Sequence, residues 1–196
     1  GGVLTPLFAS TGSGRPVGLF AYVLVLDPAL LYTGRRNRWP SLALLSLIGT
    51  FVYQGLWIGA RMGPDRLLLG LAVLGVFALV FALASGPPDE SPRRGWLLAR
   101  AGGVLLPFGF AVYFALRGDL GPSLLPIGLL LVLVSAAAGF VARSQATPLL
   151  GTAAAAAGVG VLSVWLATQA IPPGSAWIAV GVCVALALVF HLYAEW

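Results

Sequence analysis

Residues 67–85 have the sequence LLLGLAVLGVFALVFALAS, which contains no charged residue. A helix that crosses a bilayer needs about 20 predominantly apolar residues, because each residue advances the helix by about 1.5 Å. The strands of a membrane β-barrel would instead alternate apolar and polar residues, and this stretch does not. It therefore predicts a transmembrane α-helix and indicates an all-α protein.

The rest of the chain repeats this pattern, with short connections rich in Gly, Pro and Arg between apolar segments. In chain order, the seven predicted spans are Val17–Tyr32, Ser41–Ile58, Leu67–Ser85, Gly95–Leu116, Leu124–Ala142, Leu149–Ala170 and Ala176–Ala194. The first is the shortest, and it contains Asp27 and Pro28. Residues 1–16 are expected to form a loop or the tail of a preceding helix. Residues 17–196 are expected to form one domain, a polytopic bundle of about seven transmembrane helices.

The composition excludes a soluble or a disordered protein. Hydrophobic residues make up 59% of the 196 residues and charged residues 9%, whereas a soluble domain carries about 25% charged residues. Disorder needs low hydrophobicity, which this chain does not have. The chain is therefore expected to be an integral membrane protein, and membrane lipids are expected to be its partners.

The basic residues indicate the orientation in the membrane. All eleven are Arg, and the net charge is +5. In a soluble protein this charge would suggest nucleic acid, but these arginines lie in short loops, so no nucleic-acid partner is expected. Six or seven arginines are expected on the same side of the membrane as the loop between spans one and two, and four are expected on the opposite side. The bias predicts a bacterial inner-membrane protein with its N-terminus outside and its C-terminus in the cytoplasm.

The chemistry-bearing residues are few. A single cysteine, Cys183, excludes an internal disulfide, and a single histidine, His191, excludes a His-rich metal centre. The sequence contains no phosphate-binding loop, no HExxH motif and no serine-nucleophile motif with a base beside it. We therefore expect no enzymatic activity, no cofactor and no metal.

The N-terminal quarter of the chain resembles a known family. Residues 1–31, GGVLTPLFASTGSGRPVGLFAYVLVLDPALL, and the continuation RRNRWPSLALLSLIGTF at 35–51 are similar to bacterial multispanning proteins of the domain of unknown function 2339 family. The resemblance implies a predicted membrane protein, usually longer and with more helices than this chain. It implies no activity, because the family has none established.

Asp27 and Arg100 are the charged residues placed inside predicted spans. A carboxylate in hydrocarbon is expensive and is a functional candidate by default, for proton relay or for cation coordination. The structural interpretation is a charge pair between Asp27 and Arg100, or a polar cap for the backbone that Pro28 frees. Snorkelling of each side chain without pairing is a further alternative. The sequence favours the structural pair.

His191 and Glu195 lie one helical turn apart at the end of the last predicted span. They could share a proton or bind a metal, but two ligands are too few for a closed metal site. We expect both to be solvated at the membrane interface as a polar pair.

Small residues at helical spacing predict close helix packing. They are Gly55 and Gly59 in the second span, Gly151 and Ala155 in the sixth, and Ala179, Cys183 and Ala187 in the seventh. Packing inside the bundle is favoured over an interface between chains. The pattern as a whole predicts a structural or accessory subunit that packs against other membrane-protein subunits. The alternative is a small-molecule or lipid transporter of the flippase kind, and a membrane-embedded enzyme is the third hypothesis.

Overall fold

The computed structural model describes residues 16–83, 94–169 and 176–195, and these residues form an all-α helical bundle. The helices are α1 (Pro16–Arg36), α2 (Pro40–Arg61), α3 (Leu67–Leu83), α4 (Arg94–Leu116), α5 (Leu124–Ser144), α6 (Pro148–Thr168) and α7 (Ala176–Ala194). A 3₁₀ turn, Pro64–Arg66, leads into α3. The predicted fold class is confirmed. The predicted N-terminal segment 1–16 lies outside the described residues except for Pro16.

Within the described residues, six helices are long and apolar enough to cross a membrane. Helix α1 is not one of them, although the sequence predicted a span there. It runs on to Arg36, four residues beyond the predicted end, so that it finishes in the charged pair Arg35 and Arg36. Asp27 interrupts its apolar stretch. The helix packs along α2, which is one of the six.

The connections that follow α1 and α5 have the same backbone conformation. Arg38 and Ala146 adopt the left-handed conformation, with φ of 57° and 49°. The next N–H, of Trp39 or Thr147, donates to the carbonyl five residues earlier, at 2.7 Å and 2.8 Å respectively. This is the Schellman ending, and in both cases a proline then begins the following helix. The two connections therefore reverse the chain within a few residues.

Helices α4 and α5 form the centre of the bundle. Helix α5 packs against α3, α4, α6 and α7, and α4 packs against α2 and α3 as well as α5 and α6. Helix α1 contacts mainly α2 at one edge, and α7 contacts mainly α5 at the other. The core between them is apolar, with Phe114, Ile127, Leu131 and Trp165 among its fully buried side chains.

Candidate functional site

Asp27 lies in a polar cluster between α1 and α2. Its side chain is buried, with 2% exposed. Its two carboxylate oxygens accept hydrogen bonds from the hydroxyls of Ser46, at 2.7 Å, and of Thr50, at 2.5 Å. Ser46 and Thr50 are four residues apart on α2, so both hydroxyls lie on the face that meets α1. The packing of two helices thus supplies one donor to each oxygen of the carboxyl.

The packing of α1 on α2 also sets the depth of Asp27. Thr50 lies near the middle of α2, which runs from Pro40 to Arg61 and is long enough to cross a membrane. Phe20 of α1 packs edge-on against Trp57 of α2 with ring centroids 5.1 Å apart, as expected for antiparallel helices in this register. Asp27 is therefore a carboxyl midway between the two ends of the bundle, which is the depth at which burying a charge costs the most free energy.

The polar face of α2 continues beyond Thr50. Gln54 and Trp57 follow on the same face and are buried, with 2% and 8% exposed. In the described part of the chain, Gln54 Nε2 and Trp57 Nε1 have no hydrogen-bond partner. A buried donor without a partner costs free energy, so these two atoms mark a strip of unsatisfied polarity between Asp27 and the Arg61 end of α2.

Arg100 occupies a different place, at the end of the bundle where α3 and α5 finish. It is buried, with 4% exposed. Its Nη2 atom donates to the Ala82 carbonyl at 3.5 Å and to the Ser144 hydroxyl oxygen at 3.2 Å. The last carbonyls of a helix lack intrahelical donors and carry the negative end of the helix dipole. Arg100 therefore donates to a carbonyl in the last turn of α3 and to the side chain of the last residue of α5, while its Nε and Nη1 atoms have no hydrogen-bond partner among the described residues.

The charge pair predicted between Asp27 and Arg100 is not observed. The ion pairs among the described residues join other side chains. Asp27 bonds only to α2 hydroxyls, and Arg100 bonds to the ends of α3 and α5. The physical reason is depth: Asp27 lies beside the middle of α2, whereas Arg100 lies beside helix ends. Sequence boundaries alone gave the two residues similar depths.

Two glycines on α4 bring Arg100 close to its partners. A Cβ atom on Gly102 would lie 2.5 Å from the Leu47 side chain of α2, and one on Gly103 would overlap Phe81 of α3. At Gly103 the overlap is with the Cβ of Phe81, so only glycine allows this approach of α4 to α3, whereas at Gly102 the close atom is a terminal methyl of Leu47. The close packing of Gly103 against Phe81 thus lies three residues from the Arg100 guanidinium, which bonds to the neighbouring Ala82 carbonyl.

His191 and Glu195 lie together as predicted for a polar pair at a helix end. The distance from His191 Nε2 to Glu195 Oε1 is 3.4 Å, and both side chains are exposed. Among the described residues, no group of three His, Cys, Asp or Glu side chains could hold a metal ion. The structure thus shows a solvated pair and gives it no further ligands.

The predicted small-residue packing positions divide into two groups. Gly55 faces Phe110 of α4, with the position of its Cβ 3.8 Å from that ring, and Gly151 faces Ala142 of α5 at 3.7 Å. Ala155 and Ala179 are half-buried. These four positions lie against the bundle.

The other three positions, Gly59, Cys183 and Ala187, are exposed, which corrects their assignment to packing inside the bundle. On α7 the buried residues are Val182 and Leu186. They lie about a quarter turn away from the predicted stripe, since successive residues are about 100° apart. Spacing defines a stripe, but it does not tell which side of the helix meets a neighbour.

Three glycines that the sequence analysis passed over lie at close contacts between α5 and its neighbours. A Cβ atom on Gly75 of α3 would lie 2.6 Å from Leu133 of α5. Gly128 of α5 lies directly against Val182 of α7, and Gly139 against Tyr193. The α5 glycines are eleven residues apart, about three helical turns, which is a signal the sequence carried.

The opposite end of the bundle holds a separate polar cluster after α4. Arg117 binds Asp119 through two hydrogen bonds, of 2.7 Å and 2.6 Å. The bonds from Arg117 hold the pKa of Asp119 below its usual range, and in return they raise the pKa of Arg117. Nearby, the indole N–H of Trp165 donates to the Gly121 carbonyl at 2.7 Å. This cluster ties α6 to the connection between α4 and α5.

Comparison with known proteins gives one match. Residues 1–196 match the sequence model of a protein family described as "Predicted membrane protein (DUF2339)". The match covers the whole chain, whereas the resemblance found in the sequence lay in the first quarter. No curated protein and no solved structure matches the chain.

Proposed function

The chain belongs to the DUF2339 family of predicted multi-pass membrane proteins, and we propose that it serves as a structural or accessory subunit that packs against a further transmembrane helix. On this proposal it is not an enzyme. The observation that carries the proposal is the outward face of α6. Several of its exposed residues are small and form what we term the small-residue face, Thr152, Ala156, Gly160, Ser163 and Ala167. The larger exposed side chains of α6 are Leu149, near its first turn, and Val159 and Leu166, which border this face.

The small-residue face differs from the outward surface of α2. Along the middle of α2, four of the exposed side chains are large and aliphatic, Leu45, Ile48, Val52 and Leu56, each more than half exposed. Such side chains are suited to contact with lipid tails. The middle of α2 thus exposes mainly large side chains, and the middle of α6 exposes mainly small ones.

Small outward residues favour contact with another helix. In a bilayer no hydrophobic force drives helices together, so close backbone approach and van der Waals packing must do so. Gly160 has no atom within 4 Å of its Cβ position, so this part of α6 is open to a partner. Of the apolar segment of α6, 28% is buried, against 61% for α5. The face is therefore both available and shaped for close approach.

Site-specific photo-crosslinking in the membrane of the expressing cell tests this function. A photoreactive amino acid at Ala156 should give a discrete product of higher mass, in which the chain is joined to a second transmembrane segment. The matched control is the same probe at Val52, on the lipid-suited face of α2, which should give lipid adducts only.

A substitution in the small-residue face tests whether the cross-linked product depends on that face. Gly160→Leu fills the open part of the face and should remove the Ala156 product, while thermal stability in detergent should not fall, because no neighbour lies within 4 Å of the Cβ position and leucine is the better helix former. Equal products from Ala156 and Val52, or a product that survives Gly160→Leu, would contradict the proposal. Solute or lipid movement by the purified protein in vesicles would then support the alternative, a small-molecule or lipid transporter.

The cellular location and orientation belong to the same proposal. We place the chain in a bacterial inner membrane, with the end of the bundle that holds Arg36, Arg38, Arg94 and Arg143 facing the cytoplasm. Short arginine-rich connections remain on that side during insertion. Anionic lipid headgroups in the same leaflet then meet these side chains.

A further inference from the structure

We propose that Asp27 is a reversible proton-binding site in the interior of the bundle, with the hydroxyls of Ser46 and Thr50 as its positioning groups. The ligand is a single proton. The site is independent of the packing function proposed for α6, because it lies between α1 and α2, whereas α6 packs against α4 and α5.

The first argument is charge. Within the described residues Asp27 takes part in no ion pair, and its partners are two neutral hydroxyls. An isolated carboxylate in an apolar interior is strongly disfavoured and is usually neutralised by a proton. The environment therefore supplies hydrogen bonds to Asp27 without supplying a counter-charge.

The second argument is geometric. In the ionised state both hydroxyls donate to the carboxylate, as the distances of 2.7 Å and 2.5 Å allow. A hydroxyl in a helix can instead donate to the carbonyl four residues earlier, which is Leu42 for Ser46 and Ser46 for Thr50. When Asp27 takes up a proton, one hydroxyl turns to its own helix, and the carboxylic O–H donates to that hydroxyl oxygen. Only O–H bonds rotate, so neither α1 nor α2 has to repack.

The third argument is access. Gln54 and Trp57 place buried donors, unpartnered within the described chain, on the face of α2 that leads from Thr50 to Arg61. An ordinary apolar helix interface would place aliphatic side chains there. These two N–H groups cannot carry a proton themselves, but they can hydrogen-bond water molecules that would carry one between Asp27 and that end of the bundle.

Asp27 is the acidic group at this site, because the titratable side chains near it are tyrosines. On α2, Tyr53 packs its ring edge-on against Phe20 with centroids 5.7 Å apart. Helix α3 has no titratable side chain. On α1 itself, Tyr22 and Tyr32 are exposed. The titration of an acid in this region should therefore come from Asp27.

The experiment is infrared difference spectroscopy of the purified full chain in lipid nanodiscs during a pH titration. A buried protonated carboxyl gives a C=O stretching band that is separate from those of solvated acids. We expect this band to disappear reversibly as the pH is raised and to be missing from Asp27→Asn. Asp65→Asn, which changes an exposed acid, is the matched control and should keep the band.

The hydroxyls provide a second readout. Ser46→Ala and Thr50→Val each remove a donor to the ionised form, so each should move the transition to higher pH by about one unit. Gln54→Leu should slow proton exchange after a pH jump without moving the transition. A spectrum without a band specific to Asp27, or a band that responds to sodium concentration and not to pH, would overturn the proposal. Since the titration is followed on the folded wild-type chain, the main result does not depend on the stability of any variant.

Discussion

Nη2 of Arg100 lies 3.2 Å from the hydroxyl oxygen of Ser144, the last residue of α5. The same nitrogen donates to the Ala82 carbonyl, one residue before the end of α3. One buried guanidinium thus joins the final turns of two helices that are far apart in the chain. The Ala82 contact supplies a donor to a carbonyl in the last turn of α3, whereas the Ser144 contact is made to a side-chain hydroxyl.

This contact should appear as a coupling energy. Ser144→Ala removes an acceptor from a buried charged donor, and we expect it to lower the free energy of unfolding by about 1–2 kcal/mol. In an Arg100→Leu background the same change should cost close to nothing. Unfolding measurements on the four proteins of the cycle give the coupling, and equal effects of Ser144→Ala in both backgrounds would show that the contact contributes nothing.

Asp27 and Arg100 should behave as independent residues. They share no hydrogen-bond partner and form no ion pair with each other. The destabilisations caused by Asp27→Asn and Arg100→Gln should therefore add to within about 0.5 kcal/mol in the double variant. Thermal unfolding in detergent measures this. If Arg100→Gln instead restored stability lost in Asp27→Asn, the two charges would be paired after all.

Two glycines on α4 form a matched pair for testing close packing. Gly103→Ala places a methyl group against Phe81 of α3, where the backbone-linked Cβ cannot move aside, and should destabilise the protein by about 1–3 kcal/mol. Gly109→Ala meets nothing within 4 Å and should be neutral or stabilising by up to about 1 kcal/mol, because alanine is the better helix former. Comparable effects of the two substitutions on unfolding would contradict the packing described here.

The left-handed residue between α5 and α6 offers a stabilising substitution. Ala146 has φ of 49° and is exposed, so glycine at this position relieves the backbone without loss of packing. We expect Ala146→Gly to raise stability by about 1 kcal/mol. Ala153→Gly, in the helical part of α6, is the control and should lower stability by about 0.5–1 kcal/mol. A loss of stability in Ala146→Gly would mean that this turn is not left-handed in solution.

Cysteine labelling tests the proposed orientation. Asn37 lies in the connection between α1 and α2, and Asp65 lies in the connection between α2 and α3, at the opposite end of the bundle. With the cytoplasm on the Asn37 side, a membrane-impermeant thiol reagent should label Asp65→Cys in intact cells and should label Asn37→Cys only after the membrane is opened. The native Cys183 is replaced by serine in both proteins. The reverse pattern would invert the orientation.

The amino-acid sequence by itself determined the class of the protein and the order of its helices. The run at 67–85 and its counterparts are too apolar for water and too long for strands, and prolines and glycines mark the connections. These properties are local, since the length of a span and the missing N–H of a proline do not depend on what the helix packs against. For this reason the helices correspond closely to the segments predicted from composition.

What the sequence could not decide was the rotation and depth of each helix. The partners of Asp27 are Ser46 and Thr50 and not Arg100, and the buried face of α7 passes through Val182 and not Cys183. In segments that are apolar all round, the hydrophobic pattern does not distinguish the side that faces a neighbour from the side that faces lipid. Only the tertiary packing, through contacts such as Gly139 against Tyr193, selects that side. The sequence thus contained the polar residues of the site, and the tertiary structure decided which of them meet.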